Sequence, residues 1–327
     1  MFTAVLSIDG GGMKGIISAV VLEKLEDLLK DYSGDSNARI GDYFDLIGGT
    51  STGSILTALL LTPENGHPRY SATEILNFYL QLGPYIFKNQ SLYPLFGSKY
   101  TSQGLQRLLD DFFGTLRISE LLKPCLITSY DTTSRKAVFF NKVTGEEHPS
   151  RNPLVSEAVR ASCSAPTYFP PVCLSTTPEC QNCYVDGGVV ANNPSICALI
   201  EAMKLEKCKS VHDIHLLSIG NVKNDVAYQY RDVKKWGPLE WAVPLFSILL
   251  NSNSQTVDYQ LNTVYNIIDK PHQYLRLQTS ALDKPPAMDD FDKKSIHYFL
   301  TAGEELIETY LPQIEQFAQW LIMRRSV

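Results

Sequence analysis

Residues 43–61 read YFDLIGGTSTGSILTALLL, and three kinds of segment lie end to end in them. Tyr43 to Ile47 is short and apolar, the composition of a buried strand, and Ser54 to Leu61 opens an apolar helix. Between them, Gly49-Thr50-Ser51-Thr52-Gly53 sets a serine between glycines at minus two and plus two. A strand that turns this tightly into a helix has no room for side chains at the glycine positions. It also lifts the serine hydroxyl clear of the turn, the pattern of a nucleophile elbow. The hydroxyl then stands at a helix N-terminus, where the dipole favours developing negative charge. A Ser/Gly-rich loop matches the same five residues, but the strand before and the helix after favour the elbow.

Upstream, residues 4–8 (AVLSI) form another short apolar run, stopped by Asp9-Gly10-Gly11-Gly12-Met13-Lys14-Gly15. Ile16, Val20, Val21, Leu25 and Leu28 then recur at helical spacing. The first sixty residues thus read strand, helix, strand, sharp turn, helix, the opening of a parallel α/β sheet. Consecutive glycines at a helix N-terminus turn backbone N–H groups toward an anion. In acyl transfer, Gly10, Gly11 and Gly12 would hold the oxyanion of the tetrahedral intermediate. Lys14 either adds positive charge for a phosphate head group or is simply solvated. Gly10, Gly12 and Gly15 also match the dinucleotide fingerprint G-x-G-x-x-G, which expects an acidic residue at the end of the second strand. Here that strand delivers the serine turn instead, so the dinucleotide reading is the weaker one.

Downstream, helices are expected over residues 72–82, 103–113 and 153–162, with an irregular aromatic stretch over 84–102. Residues 125–130 and 136–140 read as neighbouring strands. Tyr184 and Val185 lead into Asp186-Gly187-Gly188, Pro194 starts a helix, and residues 214–219 form a strand. From Trp236 onward the pattern is mostly helical, ending in a long helix over residues 293–323. Asp-Gly-Gly alone is only a turn. Beside a serine nucleophile, however, an aspartate at a strand end followed by glycines can approach the hydroxyl and take its proton directly. The alternative base is a histidine after the acid, which leaves His212, His215, His272 and His297 for a Ser-His-acid triad. None of them sits in a motif built for catalysis.

The bulk numbers set the frame. The chain has 327 residues and a formal net charge of −6, which argues against nucleic acid as a partner. Seven cysteines, an odd number, read as free thiols in a reducing compartment. Cys180-x-x-Cys183 lacks the second ligand pair of a structural zinc site, so no metal is expected. No secretory leader opens the sequence and its longest apolar stretch, residues 239–250, is too short to span a bilayer, so a cytoplasmic location is expected. That stretch is an apolar lip or membrane-docking patch, or else a core helix; apolar periodicity favours the core.

Taken together, Ile8 to Gly15, Gly49 to Gly53 and Asp186 to Gly188, in this order, resemble the patatin-like phospholipases. Ala158 to Ser162, Ala165 to Pro171 and Val189 to Pro194 resemble the same family. The resemblance covers roughly residues 4 to 220 and fades beyond 225, where the helical tail is expected to be individual. It implies a three-layer α/β/α fold with a largely parallel sheet: a catalytic domain over 1–225 and a mostly helical part over 226–327 packed on it. It also implies lipid acyl hydrolysis, phospholipase A or lysophospholipase in type, without metal or other cofactor. Ser51 would be the nucleophile, Asp186 the base, and Gly10 to Gly12 the oxyanion loop. Lys14, Gly15, Gly49, Gly53, Gly187 and Gly188 would support them. The partner implied is a lipid substrate met at a membrane surface; no residue pattern specifies a small-molecule or protein activator.

Overall fold

The computed structural model describes residues 2–87, 97–177, 180–206, 208–223, 227–280 and 285–325. Eight strands make one sheet: β1 (Thr3–Ile8), β2 (Leu46–Gly49), β3 (Cys125–Asp131), β4 (Lys136–Asn141), β5 (Val172–Thr177), β6 (Cys180–Asp186), β7 (Ile214–Ile219) and β8 (Tyr274–Leu277). Their order is β8-β7-β1-β2-β3-β6-β5, with β4 also paired to β3. From β8 to β3 every pairing is parallel. β4, β6 and β5 are antiparallel additions at one end.

Alternation along the strands explains why both faces are covered. Ala4, Leu6 and Ile8 face a core shared with α1 (Gly15–Ser33), α2 (Thr52–Leu61), α3 (Ala72–Ile86), α4 (Gln103–Phe113) and α5 (Val155–Ser162). Val5, Leu46, Leu126, Ile214 and Leu216 face the other way. There they meet α7 (Ser195–Ala202) and α8 (Pro238–Ile267), with the short α6 (Gly188–Ala191) ahead of them. This period of two on a doubly covered sheet is what makes the strands read as continuous apolar runs. The architecture is a three-layer α/β/α sandwich around a mostly parallel sheet.

The last hundred residues are built into this body. β8 adds a strand beside β7, and α9 (Lys293–Arg325) buries Phe299, Leu306, Ile314 and Phe317 in the α1 core. Arg324, near the end of α9, grips Asp45 with both nitrogens, one at 2.7 Å, while Asp45 also accepts the Ala4 N–H at 2.8 Å. β8 escapes a sequence reading because it is four residues long and carries Arg276 in its middle. The strand expected from Tyr43 starts instead at Leu46, since Ile40–Tyr43 closes a short helical turn first. α3 runs past the expected stop to Ile86, through Pro84, and starts on a capping box between Ser71 and Glu74. Of the aromatic stretch over 84–102, residues 88–96 lie outside the described residues.

Candidate active site

Two strands meet head to head along one edge of β3. β2 runs parallel to it until Gly49 stands opposite Ile127; β6 runs antiparallel until Asp186 stands opposite Ser129. Thr128 lies between the two registers. The C-terminal ends of β2 and β6 therefore point at each other, and the turns that follow them, through Ser51 and through Gly187, are forced together. Thr50 stitches the junction: its hydroxyl donates to the Ala191 carbonyl at 2.6 Å and accepts from Thr128 at 2.7 Å. Gly187 presses on Thr128 so closely that a Cβ there would lie 2.1 Å from the threonine oxygen.

The elbow is strained where the sequence predicts it. Ser51 adopts φ 54° and ψ −121°, a region that L-residues avoid, immediately before α2. A Cβ on Gly49 would lie 2.1 Å from the Gly53 carbonyl oxygen, and one on Gly53 2.2 Å from the Ile8 carbonyl oxygen, so neither position takes a larger residue. The turn is held from outside by Ser162, whose hydroxyl accepts the Ser51 N–H at 2.9 Å, and by Ser54, which donates to the Ser51 carbonyl at 2.6 Å. Ser162 ends α5, and buried Arg160 two residues earlier donates to the Pro170 carbonyl at 3.2 Å. That bond ties α5 to the Pro-rich stretch that follows it.

Asp186 is 4% exposed. It accepts the Gly188 N–H at 2.7 Å. Burial pushes its carboxyl up to about 6, against the opposing pull of the nearby Ser51 side chain and the Gly188 N–H. Among the described residues no cation pairs with it.

The glycine loop is divided in its loyalties. The Gly10 N–H donates to the Asn192 carbonyl at 3.0 Å, and the Gly10 carbonyl accepts from the Asn221 amide at 2.8 Å. Gly10 therefore has no donor to offer an oxyanion, which narrows the expected triplet. Met13 N–H is likewise taken, by the Met288 carbonyl at 2.8 Å. Gly11 and Gly12 keep N–H groups without a partner among the described residues. Gly15 opens α1 against Thr52. Lys14 is half-buried, burial lowers its pKa, and it makes no ion pair among the described residues. Behind the loop, Arg276 of β8 holds buried Asp9 through two bonds of 2.8 and 2.6 Å. Burial alone would lower Arg276; attraction to Asp9 outweighs it and leaves the guanidinium above its ordinary value.

An apolar pocket opens beside Ser51, lined by Gly12, Met13, Ile55, Leu82, Phe87, Leu105, Phe169 and Met288 among others. A second, polar pocket lies on the far side of the glycine loop, against Asp9, Asn192, Asn221, Lys223 and Gln278. No motif in the sequence points to Asn221, Met288 or Arg276. Ser162 and Asn192, by contrast, fall inside the two supporting stretches.

Comparison with known proteins identifies the family. The family profile described as patatin-like phospholipase matches residues 6–196. Patatin group J-1 of Solanum tuberosum is 34% identical over 351 aligned positions, covering 99% of this chain and 90% of that protein. Patatin-2-Kuras 4 of the same plant is 35% identical over 353, covering 99% and 93%. The chain belongs to the patatin-like phospholipase family. Patatins are lipid acyl hydrolases, and with them this chain is a carboxylic ester hydrolase. One relative of the same plant, 34% identical over 350 positions and matching 99% of this chain, is called a probable inactive patatin, 3-Kuras 1, so the machinery has to be judged on this chain's own residues. The coverage also corrects one expectation. The patatins match nearly the whole chain, tail included, because β8 and α9 complete the sheet and the core.

Within this patatin-like site the histidines stand apart. His67, His148, His212, His272 and His297 are exposed. His215 lies in β7, stacked on Phe2 at 4.0 Å and bonded to Gln273, and burial lowers it to about 4. None lines the pocket beside Ser51. Among the described residues no helix is long and apolar enough to cross a membrane, and no group of three His, Cys, Asp or Glu is placed to hold a metal.

Proposed function

We propose that Ser51 and Asp186 form a catalytic dyad that hydrolyses acyl esters of glycerophospholipids or related lipids. The acyl chain would enter the apolar pocket. Ser51 Oγ attacks the ester carbonyl while Asp186 takes its proton, a transfer supported by the closeness of the Ser51 side chain to a carboxyl that burial has pushed up. The N–H groups of Gly11 and Gly12 receive the oxyanion, helped by the N-terminus of α2. Asp186 returns the proton to the departing alkoxide, then activates the water that releases the fatty acid. The observation that carries this reading is the head-to-head meeting of β2 and β6, which brings an unpaired carboxylate to a strained serine. The test is mass spectrometry of products from mixed phospholipids. Wild type should release fatty acid, and Ser51→Ala and Asp186→Asn should not while remaining folded; full release by either variant ends the dyad.

Contact with a lipid surface is part of the same reading, supported by the unequal halves of α8. Val257, Leu261 and Tyr265 in its second half are buried. In its first half, among the described side chains of residues 238–250, none is buried, and Leu245 and Leu249 are 45% and 55% exposed. This replaces the core reading of that stretch for these two leucines. The half-helix adjoins the dyad, since a Cβ on Gly188 would lie 3.1 Å from Leu250 Cδ2. Trp236 packs on Trp241 with ring centres 5.0 Å apart, and exposed Arg231, Lys234 and Lys235 flank them. Aromatic, basic and exposed apolar groups along one stretch, residues 231–249, are the makings of an interfacial segment. Leu249→Asp should lower binding to anionic phospholipid vesicles several-fold and leave hydrolysis of a soluble short-chain ester unchanged. Equal vesicle binding by the variant rules this surface out.

A further inference from the structure

The hairpin of β5 and β6 carries two thiols that the hydrolysis does not use. Cys173 on β5 and Cys183 on β6 are direct cross-strand partners. The backbone of Cys183 decides which kind of pair they form. Its N–H donates to Thr133 Oγ1 at 3.1 Å and its carbonyl accepts the Thr132 N–H at 2.8 Å, both toward the β3–β4 turn and away from β5. In a strand the N–H and C=O of one residue point to the same side, so facing β5 this is a non-hydrogen-bonded pair. Partners of that kind stand about 4.5 Å apart at Cα with side chains on one face. That spacing is inside the disulfide range of roughly 4.4–6.8 Å, at its short end. In this structure both are free thiols, Cys173 exposed and Cys183 half-buried.

We propose that Cys173 and Cys183 are a redox-responsive pair that closes a reversible disulfide across the β5–β6 hairpin. The oxidant is a small disulfide such as oxidised glutathione. The Cys173 thiolate attacks one of its sulfurs, forming a mixed disulfide and expelling one glutathione thiolate. The Cys183 thiolate then attacks the Cys173 sulfur and expels the second. Two cysteine thiols are oxidised, one glutathione disulfide is reduced to two thiols, and the two protons go with them. The exposed cysteine is the point of entry and its half-buried neighbour the resolving thiol. Selectivity over the four other described thiols comes from their surroundings. Burial pushes Cys125 and Cys163 up to about 12 and raises Cys197 and Cys208, which keeps them protonated and unreactive. An exposed cross-strand bond at the short end of the range belongs to the labile class of disulfides, those that open again when reductant returns.

The sequence offers a clean assay. Cleavage after Glu157, Glu179 and Glu201 yields peptide 158–179, with Cys163 and Cys173, and peptide 180–201, with Cys180, Cys183 and Cys197. Native protein equilibrated with oxidised glutathione, alkylated and digested this way should yield the two peptides joined. Reduced glutathione should separate them. The joined species should persist in Cys180→Ser and vanish in both Cys173→Ser and Cys183→Ser. Unjoined peptides from the wild type overturn the proposal, as does a link that survives Cys183→Ser or is lost in Cys180→Ser.

Discussion

Asp9 and Asp186 are both buried aspartates at the C-terminal ends of strands in one sheet, 2% and 4% exposed, and they flank the same glycine loop and elbow. Their surroundings differ in one respect that decides what each can do. Around Asp9 lie Arg276, with two bonds, and the amides of a polar pocket. Around Asp186 lie the Ser51 side chain and the N–H of Gly188, and among the described residues no cation pairs with it. A carboxylate gripped by a guanidinium has its charge neutralised and its position fixed, which suits it to hold the start of the glycine loop. A carboxylate left without a cation is pushed toward about 6, where it can take a proton and give it back near neutral pH. On the proposed mechanism, pairing marks the structural acid and its absence the chemical one.

The largest effect this contrast predicts is on turnover. On the proposed dyad, Asp186→Asn removes the base and Ser51→Ala the nucleophile. Each should lower kcat by about 10⁴-fold, equivalent to roughly 5 kcal/mol of barrier. Loss of either partner should match loss of both, since the two act as one unit. A double variant that loses far more than either single one breaks the idea of a two-residue machine.

On the Asp9 side the expected effect falls on stability. Arg276→Met strands a buried carboxylate and should destabilise the fold by about 3–5 kcal/mol in urea unfolding. Asp9→Asn combined with Arg276→Met removes both charges and should recover most of that loss. A double variant as unstable as the single one would mean that Arg276 acts through its packing and not its charge.

At Asp186 the expected effect is on the pH dependence of stability. Its folded carboxyl titrates near 6, above the ordinary 3.8, so the native state holds the proton more tightly than the unfolded chain. Stability from this group is complete below pH 4 and is lost as pH rises to about 6, by about 3 kcal/mol in all. Asp186→Asn escapes that loss. The variant should match wild type near pH 4 and exceed it by about 2–3 kcal/mol at pH 8, and a gap that does not change with pH defeats the assignment. The same titration predicts that wild-type kcat/KM rises with pH and levels off above about 6.

How much of this was readable in the sequence follows from the range of each cause. The elbow is local: sterics demand glycine two residues either side of Ser51, so the pattern appears in five consecutive letters. Asp186 was found through its glycines and through the need of a serine for a base. Arg276 was not, because it meets Asp9 across 267 positions and sits in a strand too short to alternate. The commitment of Gly10 to Asn192 was hidden for the same reason, although the stretch holding Asn192 stood out. Leu245 and Leu249 misled differently. Apolar spacing reports a helix face but not whether anything covers it, and here the half-helix overhangs the body beside the dyad.

The smallest predicted effect is the sharpest comparison. Ser254 of α8 points its hydroxyl at Asp9 Oδ2 from 3.5 Å, the outer limit of a hydrogen bond. Arg276 already supplies that oxygen with a bond of 2.6 Å, so Ser254→Ala removes little. The substitution also gains helix propensity, a few tenths of a kcal/mol in mid-helix, which offsets the lost contact. The variant should unfold within about 0.5 kcal/mol of wild type and release fatty acid at an unchanged rate. A large loss in either would mean that Arg276 does not satisfy Asp9, and that the two aspartates are less different than their partners suggest. On the Asp186 side the corresponding hydroxyl is Ser51, where on the proposed mechanism the same change from serine to alanine should end the reaction. The difference lies in the carboxylate each hydroxyl faces, one already held by a cation and the other still able to take a proton.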